Sequence, residues 1–391
     1  MRYNFNRLID RKNTDSYKWD DTFSNFGKDG VIPLWVADMD FPCAAPILEA
    51  IRERMEHPIL GYTMRTKGYV EAIIGWFKSR HAVDLKKEWI SFSPPGVIYA
   101  INTMVHLMTK RGEKIVLQSP NYGPLFDVVK KNGRELSVNP MICTDEGYRI
   151  DFDDLEHRLK GTKMLILSSP NNPTGRVWGF EELSRIGEMC LSNGAFVISD
   201  EIYSDIVFSD YKHIPFYSVN KEFADNSMAC YSTNKTFNLG GLQMGTVIIP
   251  NPIVKARYDE VMNIAQTRLD NLFGAIALEA AYTKGHDWLT QVIRYIEDNR
   301  KFVEDYLKRN IPAMKLINGE GTFLLWIDCR GLNLTQHEIE DFFIQKASVA
   351  LTQGHEFGEN GASFVRMNIA CPRKILKQAL NAIKQALQAI N

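Results

Sequence analysis

Lys235 follows an apolar run at 228–231, inside the stretch Tyr231-Ser232-Thr233-Asn234-Lys235-Thr236-Phe237-Asn238-Leu239-Gly240-Gly241-Leu242. An amine at the end of a buried strand is partly desolvated, which lowers its pKa and leaves a fraction unprotonated, the form that condenses with an aldehyde. Ser232, three residues earlier, offers a phosphate its hydroxyl and nearby backbone N–H groups. Two other segments put polar groups at strand exits. The loop Ser168-Ser169-Pro170-Asn171-Asn172-Pro173-Thr174-Gly175 leaves the apolar run 164–167, and the run 195–199 ends in Asp200, with Tyr203 three residues on. Ser93-Pro94-Pro95-Gly96-Val97-Ile98 precedes a helix expected at 99–110, so Gly96, Val97 and Ile98 are candidate backbone donors to an anion at a helix N-terminus. Arg366, in Phe364-Val365-Arg366-Met367-Asn368, has the planar fork that captures a carboxylate at two points. Taken singly, these residues have plainer readings: Asp200 as a helix cap, Asn172 as a turn residue, Tyr122 and Tyr203 as half-buried phenols, Arg366 as a surface ion pair.

What must position them is a sheet. Between residues 46 and 285, apolar strand-like runs alternate with amphipathic helical stretches, the pattern of a mostly parallel sheet covered on both faces. Strands are expected at 114–118, 164–167, 195–199, 228–232 and 246–249. A helix is expected at 180–191, where Phe180, Leu183, Ile186 and Cys190 form one apolar stripe. A long helix at 286–310, strands near 322–328 and 363–368 and a last helix predict a smaller α+β domain at 286–391, joined by the N-terminal segment 1–45; the large domain is 46–285.

Composition bounds the reading. With 391 residues, 45% of them hydrophobic, the chain can bury a large core. Its 46 basic and 47 acidic residues nearly cancel, so no overall field favours nucleic acid or an anionic membrane. Six scattered cysteines and no clustered histidines argue against a disulfide framework and against a metal site, and predict free thiols in the cytoplasm. The first residues lack a signal-peptide core, and no window has the roughly 18 apolar residues of a membrane span.

In chain order, Asn-Pro-Thr-Gly, Asp-Glu-Ile-Tyr and Ser-Thr-Asn-Lys resemble the class I/II aminotransferase family of fold-type I enzymes that use pyridoxal 5'-phosphate. Pro33-Leu34-Trp35-Val36-Ala37-Asp38-Met39-Asp40-Phe41 and Lys212-His213-Ile214-Pro215-Phe216 resemble its branch of cystathionine β-lyases and related carbon–sulfur lyases. The resemblance implies an α/β fold with a large, mostly parallel seven-stranded sheet, and it implies roles. Lys235 carries the cofactor and moves protons; Asp200 pairs with the pyridinium nitrogen; Asn172 and Tyr203 bond the ring's phenolate oxygen; Tyr122 stacks on the ring and assists the leaving group. Ser232, Gly96, Val97 and Ile98 hold the phosphate, with Tyr62 reaching it from the neighbouring subunit of a homodimer whose active sites are shared. Arg366, with Asn172 and the backbone N–H of Ala37, binds the amino-acid substrate. Many relatives carry an arginine eight positions after the lysine, a position that often varies in the lyase branch, and this chain has Gln243 there. His213 is read as structural. The activity implied is β-elimination of cystathionine or a related cysteine conjugate to a thiol, pyruvate and ammonia, with an aminotransferase as the alternative.

Overall fold

The computed structural model describes residues 2–267 and 269–389; Met1, Arg268, Ile390 and Asn391, which include the outer ends of the expected domains 1–45 and 286–391, lie outside the described residues. Seven strands form the central sheet in the order Ile90–Phe92, Thr246–Ile248, Ser227–Tyr231, Phe196–Asp200, Met164–Ser168, Lys114–Ser119, Glu135–Pro140. Thr246–Ile248 runs antiparallel to both its neighbours, and the pairings among the strands from Ser227–Tyr231 to Glu135–Pro140 are all parallel. The strands Met164–Ser168, Phe196–Asp200 and Ser227–Tyr231 are buried at every position, because helices cover both faces and leave no polar side. The strands at 90–92 and 135–140 were not among those expected from sequence; the latter carries only one buried position and lies at the sheet's edge.

The strand order changes direction between Lys114–Ser119 and Met164–Ser168. At such a switch point the loops leaving the carboxyl ends of adjacent strands part and open a crevice. Tyr122 follows the first of these strands, Asn172 follows the second, and Asp200 is the last residue of the next.

A second sheet, antiparallel, takes the order Lys315–Leu316, Leu324–Asp328, Phe364–Asn368, Thr352–Gln353. The N-terminal segment reaches this part of the chain through Ile32–Pro33, which pairs in parallel with Val349–Ala350. His286–Asn310 is one 25-residue helix, and Phe180–Ser192 carries Leu183, Ile186 and Cys190 into the core as their spacing demands, whereas Phe180, the first residue of the expected stripe, is exposed at the helix start. Among the described residues no helix is long and apolar enough to cross a membrane.

Two local boundaries differ from the sequence expectation. The helix expected at 99–110 is Val97–Met108, so Val97 opens it. The strand expected to end at Ser232 ends at Tyr231; Ser232 instead caps a single helical turn, Thr233–Thr236, which carries Lys235.

Candidate active site

A cavity of about 570 Å³ opens at the switch point. Ten of the twelve residues singled out from sequence line it: Ala37, Gly96, Val97, Ile98, Tyr122, Asn172, Asp200, Tyr203, Lys235 and Arg366. Ser232 and Tyr62 do not. The Ser232 hydroxyl donates to the Met244 carbonyl and accepts from the Asn234 N–H at 3.0 Å, so its proton is committed to the turn beneath Lys235. Tyr62 is fully exposed, in a loop that also exposes Ile59, Leu60 and Met64.

Lys235 keeps part of its stem open to the cavity, and its Nζ donates to the Ala37 carbonyl at 2.8 Å. Ala37 thus presents its carbonyl oxygen to the amine. That oxygen is fixed by an ionic brace behind it. Arg11 grips Asp38 through both terminal nitrogens at 2.6 and 3.1 Å, while buried Lys18 reaches Asp40 at 2.7 Å. Burial of the amine, followed by the nearby charge of Arg366, lowers the Lys235 pKa to about 8; Asp38 and Asp200 pull the other way.

Asp200 has the opposite problem. Its carboxylate is buried and accepts the Ile202 N–H at 3.2 Å, but no lysine, arginine or histidine pairs with it among the described residues. Burial, with Glu201 adding to it, pushes its pKa up to about 7. Arg366 is a buried cation without a carboxylate partner among the described residues. Its nitrogens donate to Asn172 Oδ1 at 3.0 Å, to the Trp35 carbonyl at 2.7 Å and to Thr352 Oγ1 at 3.0 Å, while Nε has no partner. Burial also raises the pKa of the Tyr122 and Tyr203 phenols, so both stand as neutral donors.

The helix Val97–Met108 starts at the cavity wall with no side chain capping it. Gly96 has φ +107°, which favours glycine, and a Cβ there would meet only open space. Its own N–H is taken by Ser93 at 2.8 Å, whereas no acceptor among the described residues takes the N–H of Val97 or Ile98. Uncapped N–H groups at a helix N-terminus suit an anion. Pyridoxal phosphate, the group expected from sequence, fits this donor set. A desolvated amine meets an aldehyde, an unpaired buried carboxylate meets a protonated ring nitrogen, and free N–H groups meet a phosphate. Gln243 is exposed, at φ +52°, and does not line the cavity. Among the described residues, Lys235 and Arg366 are the only lysine and arginine that do.

Sequence reasoning did not place Thr352, Trp35, Tyr17, Glu356 or Phe357 at the cavity. Thr352 lies opposite Arg366 in the antiparallel register, on a strand of two residues that leaves no periodic pattern to read. Phe357 packs its ring under the guanidinium, 4.9 Å from the ring centre. Tyr17 stands against Trp35 with ring centres 5.0 Å apart. His213 lies outside the cavity, its Nε2 2.6 Å from buried Glu201.

Residues 29–383 match the family described as aminotransferase class I and II. The chain is 39% identical over 386 residues to cystathionine beta-lyase PatB of Bacillus subtilis, covering 98% of this chain and 100% of that one. A PLP-bound putative aminotransferase from Clostridium difficile superposes with a TM-score of 0.97 at 41% identity, over 99% of this chain and 100% of that one. The PLP-bound C–S lyase from Staphylococcus hominis gives 0.91 at 33%, over 99% and 98%. With the sheet order and the cavity at its switch point, these likenesses mean that the chain belongs to the class I and II aminotransferase family and has the fold-type I transferase architecture.

Proposed function

We propose that this chain is a pyridoxal-phosphate-dependent carbon–sulfur β-lyase that cleaves L-cystathionine or a related cysteine S-conjugate. The observation that carries it is one cavity holding a desolvated lysine, an unpaired buried aspartate and a buried arginine without a counter-ion. The names of the similar lyases from Bacillus and Staphylococcus support the choice of chemistry.

When bound, the cofactor supplies an electron sink next to the substrate's α-carbon. Lys235 would hold it covalently, Asp200 would pair with its ring nitrogen, Asn172 and Tyr203 would bond its phenolate oxygen, and the N–H groups of Val97 and Ile98 would meet its phosphate. Arg366 takes the α-carboxylate of the amino acid, and Asn172 and Thr352 hold the guanidinium in place. Lys235, when not bonded to the cofactor, would accept the Cα proton at Nζ, with the Ala37 carbonyl aiming that nitrogen. The electron pair left by the proton expels the sulfur from Cβ as a thiolate, and Tyr122 is placed to protonate it. Water then releases the remainder as pyruvate and ammonia.

The pair Ile59 and Leu60, together with Tyr62 and Met64, forms an exposed apolar loop in keeping with a homodimer in which Tyr62 serves the partner's phosphate site. The division into 1–45, 46–285 and 286–391, and a cytoplasmic location with six free thiols, belong to the same proposal. A second reading, transamination, uses the same residues and is favoured by the name of the Clostridium relative. Incubating the cofactor-loaded protein with L-cystathionine separates the two. Equal amounts of homocysteine and pyruvate mark the lyase, whereas amino exchange that requires an added keto acid, without pyruvate, overturns it.

A further inference from the structure

Outside the active-site cavity, a second cavity of about 430 Å³ lies between the end of the helix Lys67–His81, the loop 204–213 and the helix His286–Asn310. Arg80, Lys212 and Arg294 line it together with the rings of His81 and His213, and none of its lining residues is acidic. Lys212 and Arg294 are exposed and make no ion pair or hydrogen bond among the described residues; Arg80 donates to the Asp205 carbonyl at 2.6 Å and holds its Nε 3.8 Å from the Asp205 carboxylate. Glu297, one turn along from Arg294, does not line the cavity but accepts the hydroxyl of Ser209, which does, at 2.8 Å. His213 is buried, with its Nδ1 unpartnered. Arg80 is paired with Asp205 behind the wall, so Lys212 and Arg294 are the two lining cations left without an acid among the described residues, and an anion between them relieves their repulsion.

We propose that this cavity is an anion-binding site for a small phosphate-class dianion, free or esterified, separate from the phosphate cup at Val97. Its back wall connects to the active site. His81 Nε2 lies 3.1 Å from Asp205, whose other oxygen accepts the Thr236 hydroxyl at 2.9 Å, directly after Lys235. His213 pairs with Glu201, the neighbour of Asp200. An occupant bound between Arg80, Lys212 and Arg294 therefore acts on the two buried acid–histidine pairs that support the turn carrying Lys235 and the strand end carrying Asp200.

The test uses the cofactor-loaded protein, so that the helix N-terminus at Val97 is already filled. Calorimetric titration with inorganic phosphate, and separately with glycerol 3-phosphate, is run at constant ionic strength in chloride, for the native chain and for the double variant Lys212→Gln with Arg294→Gln. Both side chains are exposed and unpaired, so the variant keeps its fold. The expected result is saturable binding of one dianion per chain, weakened at least tenfold in the variant. The tighter of the two ligands then identifies the free ion or the ester as the better occupant. No saturable binding of either, or binding of equal strength in the variant, overturns the site.

Discussion

Arg366 Nη1 donates to Asn172 Oδ1 over 3.0 Å, a bond that ties a strand of the four-stranded sheet to a loop of the seven-stranded one. The guanidinium is thereby aimed without being neutralised, since none of its partners is charged. Lysine at this position keeps the charge but loses the fork, so Arg366→Lys is expected to lower kcat/KM for L-cystathionine on the order of 100-fold, mostly through KM. Steady-state pyruvate release at varied substrate measures it.

Lys235→Ala removes the amine that condenses with the cofactor. The native, cofactor-free chain should gain a visible absorbance band on mixing with pyridoxal phosphate, and the variant should gain none. Only the unprotonated amine attacks an aldehyde. With the Lys235 pKa lowered to about 8, the rate of band formation should climb roughly tenfold per pH unit below that value and level off above it. A rate still rising tenfold per unit at pH 10 would mean the amine is not desolvated.

The strand cores and the long helix could be read from sequence because their apolar periodicities are local. So could Lys235, Asp200 and Asn172, whose strand exits are marked by apolar runs giving way to polar residues. What sequence did not reveal depends on contacts far along the chain. Thr352 meets Arg366 only through a two-residue strand, and the Ala37 carbonyl meets Lys235 across 198 positions. Ser232, a phosphate donor by its spacing from the lysine, also caps the turn beneath Lys235 and meets the Met244 carbonyl, a contact no local pattern announces.

Asp200 ties cofactor binding to pH. Its pKa is about 7 in the folded chain, against about 4 for an unfolded aspartate, so between those values the folded state keeps a proton that the unfolded state releases. The stability of the cofactor-free chain must therefore fall, through this group, as pH rises from about 4 to 7. A cationic ring nitrogen beside the carboxylate offsets that loss. The gap in Tm between loaded and cofactor-free protein should accordingly widen from pH 5 to pH 7.5, and should widen less in Asp200→Asn. A gap independent of pH in the native protein would remove Asp200 from the pairing.

Tyr62 separates a shared site from a self-contained one. It is fully exposed in a single chain, beside exposed Ile59 and Met64. Light scattering should give twice the 44.7 kDa chain mass, and Tyr62→Phe should weaken cofactor retention on dialysis severalfold while leaving the dimer intact. A monomer with full cofactor affinity would rule the shared site out.

His213 and Glu201 form a fully buried pair at 2.6 Å, with Ser199 Oγ at 2.8 Å, the Phe216 N–H at 2.9 Å and the Tyr231 hydroxyl completing the carboxylate's shell. Burial alone would raise the Glu201 pKa; His213 and these donors hold it below the usual carboxylate range. Deleting one partner leaves the other charge uncompensated in the core, which costs about 3–5 kcal/mol in comparable pairs. His213→Ala should therefore lower the denaturation midpoint by a corresponding amount. Adding Glu201→Gln removes the stranded charge, so the double variant should lose less than the two single losses combined. If His213 were instead a catalytic base, its removal would abolish a limb of the pH–rate profile while leaving the midpoint near its native value. The geometry points to the first outcome, because Nε2 is taken by Glu201 and the ring lines the second cavity, not that of Lys235.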